Sequence, residues 1–170
     1  SNVEISRGDL NAAHEKSTFV TRGTYSTQRI EHAFKEMECC LARPWEQGVE
    51  VYSQSQGVYE DRKSISSLLG LPQEQVRVML MPNGGGFGGK EDLSVQGHAS
   101  LAAYLMKKPV RVALTREESI CMHPKRHPLS MDIEMGCDSE GRFTFVKSDI
   151  IGDTGAYASV GMKVLERAAG

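Results

Sequence analysis

Residues 81–92, MPNGGGFGGKED, hold the densest run of bare backbone in this chain. Five glycines fall within the six positions from Gly84 to Gly89, broken only by Phe87. Glycine lets a ligand approach the main chain closely. The letters satisfy two phosphate signatures: Gly84, Gly86 and Gly89 spell G-x-G-x-x-G, and Gly84, Gly89 and Lys90 spell G-x-x-x-x-G-K. A P-loop, however, needs Ser or Thr after the lysine to bind magnesium. Here Glu91 and Asp92 follow, and their charge opposes a polyphosphate. A dinucleotide fold wants an acidic residue about 20 positions further on. That region reads PVRVALT and has no carboxylate. The remaining choice is between a bland turn and a ligand-facing loop. One turn does not need five glycines, each of which costs entropy to order, so the loop is read as ligand-facing, with Phe87 as a packed aromatic wall.

Other reactive side chains are sparser. Cys121, His123 and His127 in CMHPKRHP have the ligand types of a zinc site, but Lys125, Arg126 and two prolines among them read as a turn. The four cysteines, Cys39, Cys40, Cys121 and Cys137, form no C-x-x-C and read as reduced, buried thiols of a cytoplasmic protein. Asp153 in GDTGAY reads as a turn residue.

The elements that must position the loop follow from periodicity. STFVTRGTYSTQRIEH reads as a strand, rich in β-branched and aromatic residues. AFKEMECCLARP is open between strand and helix. GVEVYSQ is a short strand. VYEDRKSISSLLG places Val58, Ile65, Leu68 and Leu69 on one helical face, with Gly70 and Pro72 ending the helix. QVRVMLMP is a strand running into the glycines. EDLSVQGHASLAAYLMKK reads as a helix, with Glu91 and Asp92 at its positive end, and VRVALT as a further strand. The glycine loop thus lies at the carboxyl end of a strand in a β-α-β-α-β run, where α/β sheets put ligands. LSMDIEM, the turn DSEG and RFTFVKSDII form a hairpin. MKVLERAAG begins a helix that stops with the chain, as in a segment of a longer polypeptide.

The expected fold class is therefore α+β with α/β character: a mixed sheet with a β-α-β-α-β core and a following β-hairpin. Its 170 residues suffice for one domain with a real core, residues 1–16 reading as a linker-like lead-in. A net charge of −2 without a long basic run gives a nucleic-acid partner no electrostatic support. No apolar stretch approaches the ~18 residues of a membrane span, and the polar opening SNVEISRGDLNAAHEK reads as no signal peptide.

GGGFGGKE after a strand resembles the glycine loop of the molybdenum hydroxylases, the xanthine dehydrogenase and aldehyde oxidase family. GTYSTQRIEHAFKE is similar to that family's strand containing Q-E-H. KPVRVALTREES, KRHPLSMDIEMGCDSEGRF, GDTGAYASVG and LERA agree in order, so the resemblance runs from Gly23 to Arg167. It implies the first part of a molybdenum cofactor-binding domain, with Gly85, Gly86, Phe87 and Gly88 against a molybdenum–molybdopterin cofactor. No side chain here would ligate the metal. The expected reaction is hydroxylation of an electron-poor ring carbon with water as the oxygen source, and electrons leave through [2Fe-2S] clusters and FAD on partner domains or subunits. The rest of the molybdenum subunit is a further expected partner, and no residue here matches the catalytic base, which lies in the family's later segments.

Glu91 and Arg167 match the substrate-facing glutamate and arginine of purine-hydroxylating members, which points to a purine-like or related N-heterocycle. On their own, Glu91 reads as a helix-start carboxylate and Arg167 as a solvated helix residue. The family's glutamine that contacts an oxygen on the metal is Ile30 here, which cannot donate a hydrogen bond. Gln28 would share its face in a regular strand. Three alternatives remain: an aldehyde oxidoreductase of the same family, a non-catalytic interaction domain, and a nucleotide-binding domain.

Overall fold

A computed structural model describes residues 2–169, which divide into two compact units: residues 2–30 with 127–169, and residues 31–126. One domain is expected from length; within it the described residues form these two compact units. The first unit holds helix α1 (Leu10–Glu15), strands β1 (Phe19–Ser26), β6 (Leu129–Cys137) and β7 (Phe143–Gly152), and helix α5 (Gly161–Ala169). The second holds strands β2 (Cys39–Trp45), β3 (Gly48–Ser53), β4 (Val76–Leu80) and β5 (Val110–Ala113), with helices α2 (Val58–Leu69), α3 (Val95–Met106) and α4 (Arg116–Met122).

The expected hairpin forms as β6 and β7, paired antiparallel from Leu129–Gly152 to Cys137–Phe143. Its turn is closed by Asp138, whose side chain accepts from the N–H groups of Glu140 and Arg142. β1 adds antiparallel to β6, so the first strand in sequence joins the last two. Between residues 1 and 16, where a linker-like segment is expected, α1 forms with Asp9 as its N-cap, accepting from Ala12 N–H at 3.1 Å.

The four-stranded sheet has the order β4-β3-β2-β5. β3 and β4 run parallel, joined by α2 as the crossover, while β2 pairs antiparallel with β3 and β5. The β-α-β-α-β run is present, with β2 inserted between its first and last strands. AFKEMECCLARP, open between helix and strand on sequence grounds, supplies β2. Cys40 and Ala42 point into the core while Leu41 and Arg43 are exposed, an alternation of period two.

The core lies between this sheet and its helices. Cys40, Ala42, Val49, Val51 and Val76 meet Ile65 of α2 and Val95, Ala99 and Ala103 of α3. Small residues on α3 permit the close approach; a Cβ on Gly97 would sit 3.2 Å from Leu68 and Leu93 side-chain carbons. The expected inward face of α2 needs one correction. Leu68 is 51% exposed, and Asp61 takes an inward position with Ile65 and Leu69. Positions 61, 65 and 69 recur at four-residue spacing, whereas ten residues from Val58 carry Leu68 round to the side. Gly70 caps α2 in the left-handed region, as expected.

Two further departures concern helix ends. α3 starts at Val95 with Ser94 as its cap, so Glu91 and Asp92 precede the helix and do not occupy its first turn. α4 is an addition to the expected elements; its start is a capping box, with Thr115 Oγ1 accepting from Glu118 N–H and Glu118 Oε2 accepting from Thr115 N–H. Among the described residues no helix is long and apolar enough to cross a membrane. All four cysteines are free, but of the buried thiols expected Cys40 alone is buried; Cys39 and Cys137 are half-buried and Cys121 is exposed.

Candidate functional site

The glycine loop leaves the carboxyl end of β4, as expected, and its conformation is held by side chains from elsewhere in the second unit. Asn83 Oδ1 accepts from Gly85 N–H at 3.0 Å. Gly89 N–H closes a turn on the Gly86 carbonyl at 2.7 Å. Gln56 Oε1 accepts from both Gly88 N–H, at 3.0 Å, and Lys90 N–H, at 3.2 Å. Gly85 and Gly88 adopt φ of 104° and 90°, and Phe87 a φ of 54°, a left-handed conformation unusual for a residue with a side chain. The Phe87 ring is 62% exposed, and so stands out as an open aromatic surface, not the packed wall expected. The N–H groups of Gly86 and Phe87 have no acceptor among the described residues. Of the four candidate cofactor-facing positions, Gly85 and Gly88 thus have committed donors, whereas the N–H groups of buried Gly86 and exposed Phe87 are uncommitted.

A side chain at Gly86 or Gly89 would displace the groups that pass the loop. A Cβ at Gly86 would lie 2.3 Å from Gln56 Oε1, and one at Gly89 would lie 2.9 Å from His32 Nδ1 and 3.0 Å from Phe34 Cε1.

Lys90 does not face outward. It is 4% exposed, donates from Nζ to the Glu36 carbonyl at 2.8 Å and lies 4.4 Å from the centre of the Phe34 ring. Burial holds its ammonium below the usual lysine range, and the neighbouring carboxylates Glu38 and Glu36 pull it back up. A lysine so placed cannot serve as a phosphate ligand on the open side of the loop.

Beside Phe34 lies a buried polar cluster in which His123 and Lys125, read from sequence as part of a turn, meet Glu31 and Glu38, a pairing that sequence reasoning missed. His123 Nδ1–H donates to the Ser119 carbonyl, and Glu31 Oε1 lies 2.8 Å from Nε2, an ion-pair distance off the hydrogen-bond direction. Glu38 Oε1 lies 3.4 Å from His123 Nδ1, and neither Glu38 oxygen has a hydrogen-bond partner among the described residues. Lys125 Nζ pairs with Glu31 at 3.0 Å. Burial alone would raise the Glu31 carboxyl, but the Ala33 N–H, Lys125 and His123 together hold it below the usual range. Burial, reinforced by His123 and Arg126, depresses the His32 imidazole. Arg116 donates to the carbonyls of Phe34 and Lys35. Both ring nitrogens of His123 therefore face protein groups, and among the described residues no group of three or more His, Cys, Asp or Glu could hold a metal ion. The signals in sequence are His123 and Lys125 themselves, in the CMHPKRHP stretch read as a turn, the capping box that starts α4, and the Glu31-His32 pair.

The two candidate substrate residues sit in different units. Glu91 follows the loop, half-buried, with no partner among the described residues; Arg167 is exposed in the last turn of α5. Ile30 is exposed, and the chain from Thr27 to Arg29 has left β1, so Gln28 does not share a regular strand face with it.

The family model described as a molybdopterin cofactor-binding domain matches residues 1–170. The chain is 41% identical over 162 residues to the nicotinate dehydrogenase large molybdopterin subunit of Eubacterium barkeri, covering 95% of this chain and 38% of that protein. It is 36% identical over 163 residues to a probable xanthine dehydrogenase component of Bacillus subtilis, covering 95% of this chain and 22% of that one. Among solved structures, the aldehyde oxidoreductase of Desulfovibrio gigas superposes with a TM-score of 0.87 at 23% identity, over 95% of this chain and 18% of its own. The quinoline 2-oxidoreductase of Pseudomonas putida 86 superposes with a TM-score of 0.75 at 23% identity, over 87% and 19%. At that identity the likeness concerns the fold. The chain spans well under half the length of these relatives.

Proposed function

Because the chain belongs to the molybdopterin cofactor-binding domain family, we propose that it is the first part of the molybdenum-binding region of a hydroxylase. Its substrate would be a purine-like or related nitrogen heterocycle, with water as the source of oxygen. The observation that carries the reading is the glycine loop: Gly86 and Phe87 N–H groups without acceptors, at a strand's carboxyl end, in a backbone stripped of Cβ atoms. That cradle fits a polar, anionic cofactor. Gly85, Gly86, Phe87 and Gly88 would hold it, Gly86 and Phe87 as donors. When bound, the molybdenum–molybdopterin group supplies the two-electron redox chemistry; the protein binds, orients and polarises.

Glu91 would hydrogen-bond a ring nitrogen or oxygen and set the ring's orientation. Arg167 would stabilise negative charge developing on the ring during attack. Support for a heterocycle comes from these two charged residues and from the nitrogen heterocycles in the names of the nicotinate and xanthine enzymes. The catalytic base would come from outside this chain, as would the [2Fe-2S] clusters and FAD. Exposed apolar side chains such as Phe143, Ile151 and Tyr157 support packing against further protein.

Arg167→Met in the complete protein tests the assignment. Loss of one such transition-state donor commonly costs on the order of 10²–10³ in rate. Turnover of a purine should fall by that amount with little change in KM, while turnover of a simple aldehyde is spared. Unchanged purine turnover, or an equal fall for both substrates at unchanged cofactor content, overturns the role of Arg167.

A further inference from the structure

We propose that Gln56 is the positioning residue of the glycine loop: one carboxamide oxygen fixes the left-handed backbone at Phe87 and Gly88 and thereby aims the Gly86 and Phe87 amides. Residue 56 is bound to the loop three times. Its Oε1 accepts from Gly88 N–H and Lys90 N–H, and its own N–H donates to the Lys90 carbonyl at 2.9 Å. Both side-chain partners are N–H donors, so only the oxygen of the carboxamide can occupy that position. The clamp begins at the amide that directly follows the strained residue. Phe87 precedes the first anchored amide, and a non-glycine residue keeps a positive φ only where its surroundings enforce it. Gly86 lacks a Cβ where Gln56 Oε1 passes, 2.3 Å from the place a Cβ would take, so the glycine at 86 and the glutamine at 56 are sterically matched.

Gln56 is itself anchored in the core. Ser53 Oγ donates to Asp61 Oδ2 on α2 at 2.9 Å and accepts from Gln96 Nε2 on α3 at 3.2 Å. Ser55 N–H donates to Ser53 Oγ, and Gly57 N–H to Ser55 Oγ. A buried chain of hydroxyls thus runs from the two helices to the turn that carries Gln56. The clamp transmits the rigidity of the core to the middle of a loop whose other bonds lie at its ends, at Pro82 and Asn83 on Gln54 and at the Lys90 ammonium on the Glu36 carbonyl, or within the loop itself, in the Asn83–Gly85 bond and the Gly86–Gly89 turn. The consequence for a ligand rests on the cofactor-facing reading of the loop given above; the clamp itself does not.

The test uses Gln56→Met and Gln56→Glu in the complete protein. Methionine keeps the length and removes the acceptor, whereas glutamate keeps an acceptor oxygen. Two measurements are made, amide hydrogen exchange of peptides covering 83–92 and 95–106, and pterin content after oxidation to a fluorescent product. In Gln56→Met, exchange across 83–92 should rise by about tenfold or more, as expected for losing one to two hydrogen bonds. The 95–106 peptide should be unchanged, and pterin content should fall. Gln56→Glu should restore the protection. Unchanged exchange in Gln56→Met overturns the clamp. So does an equal rise in both peptides, or a failure of glutamate to restore protection, since each would show that the acceptor oxygen is not what holds the loop. A local rise in exchange with pterin content intact would support the clamp and refute the cofactor-facing reading of the loop.

Discussion

Replacing Lys90 by methionine should weaken the second unit by about 2–4 kcal/mol at neutral pH. A hydrogen bond to a charged donor contributes about 1.5–3 kcal/mol, and Lys90 makes one to the Glu36 carbonyl at 2.8 Å. A cation held over an aromatic face adds roughly 0.5–2 kcal/mol, and the ammonium sits 4.4 Å from the Phe34 ring centre. Methionine recovers part of this because burying it costs no desolvation of charge. Against that, its neutral side chain leaves the Glu38 carboxylate, with no hydrogen-bond partner among the described residues, without its compensating cation. Native-state proteolysis in graded urea, with fragments from 31–126 followed by mass spectrometry, reports this unit by itself. The accessible open population should rise roughly 30- to 900-fold. The pH dependence supplies a second check. Burial depresses the folded-state lysine below its unfolded value of 10.5. Between the two values the unfolded chain binds more protons, so wild-type stability rises with pH across that window. The methionine variant should lack this component. Stability within about 0.5 kcal/mol of wild type, the scatter of ordinary surface substitutions, would show that the buried ammonium is not coupled to its surroundings as argued.

Asp61→Asn should stabilise the same unit at pH 7. Asp61 is 1% exposed, and burial raises its carboxyl above 3.8 although Ser55 and Ser53 hydrogen bonds pull it part of the way back. Stability contributed by the protonated form is full below 3.8 and lost as pH rises through the folded value, so a neutral isostere gains about 1.4 kcal/mol per unit of elevation above that window. Urea denaturation at pH 7 and pH 3 should show the gain at pH 7 only, and destabilisation at pH 7 would refute it. The loop should bind neither ATP nor NAD, since Lys90 is turned inward and Glu91 follows it; calorimetric titration showing micromolar ATP affinity abolished by Lys90→Ala would contradict this.

The periodic elements and the placement of the glycine loop were legible in the sequence because each rests on local signals. β3, α2, β4, α3, β5 and the β6–β7 hairpin follow from alternation, helical spacing and punctuation by Gly70, Pro72 and DSEG. The rejection of a P-loop follows from one residue, Glu91, and the family resemblance from motifs spread between Gly23 and Arg167. What tertiary structure alone decided is non-local. AFKEMECCLARP became a central strand because β3 and β5 both offered it an edge, a choice that propensity could not make. β1 reached β6 across more than a hundred residues of sequence. Gln56 carries no sequence signature, since a glutamine in SQSQG clamps a loop only when that loop is folded over it. The inward turn of Lys90, the burial of Glu38 and the pairing of Glu31 with His123 likewise depend on residues brought together from distant positions. Hydrophobic period and turn chemistry are written along the chain. The partner of a buried polar group is fixed only when packing selects it from many candidates of the same chemical type.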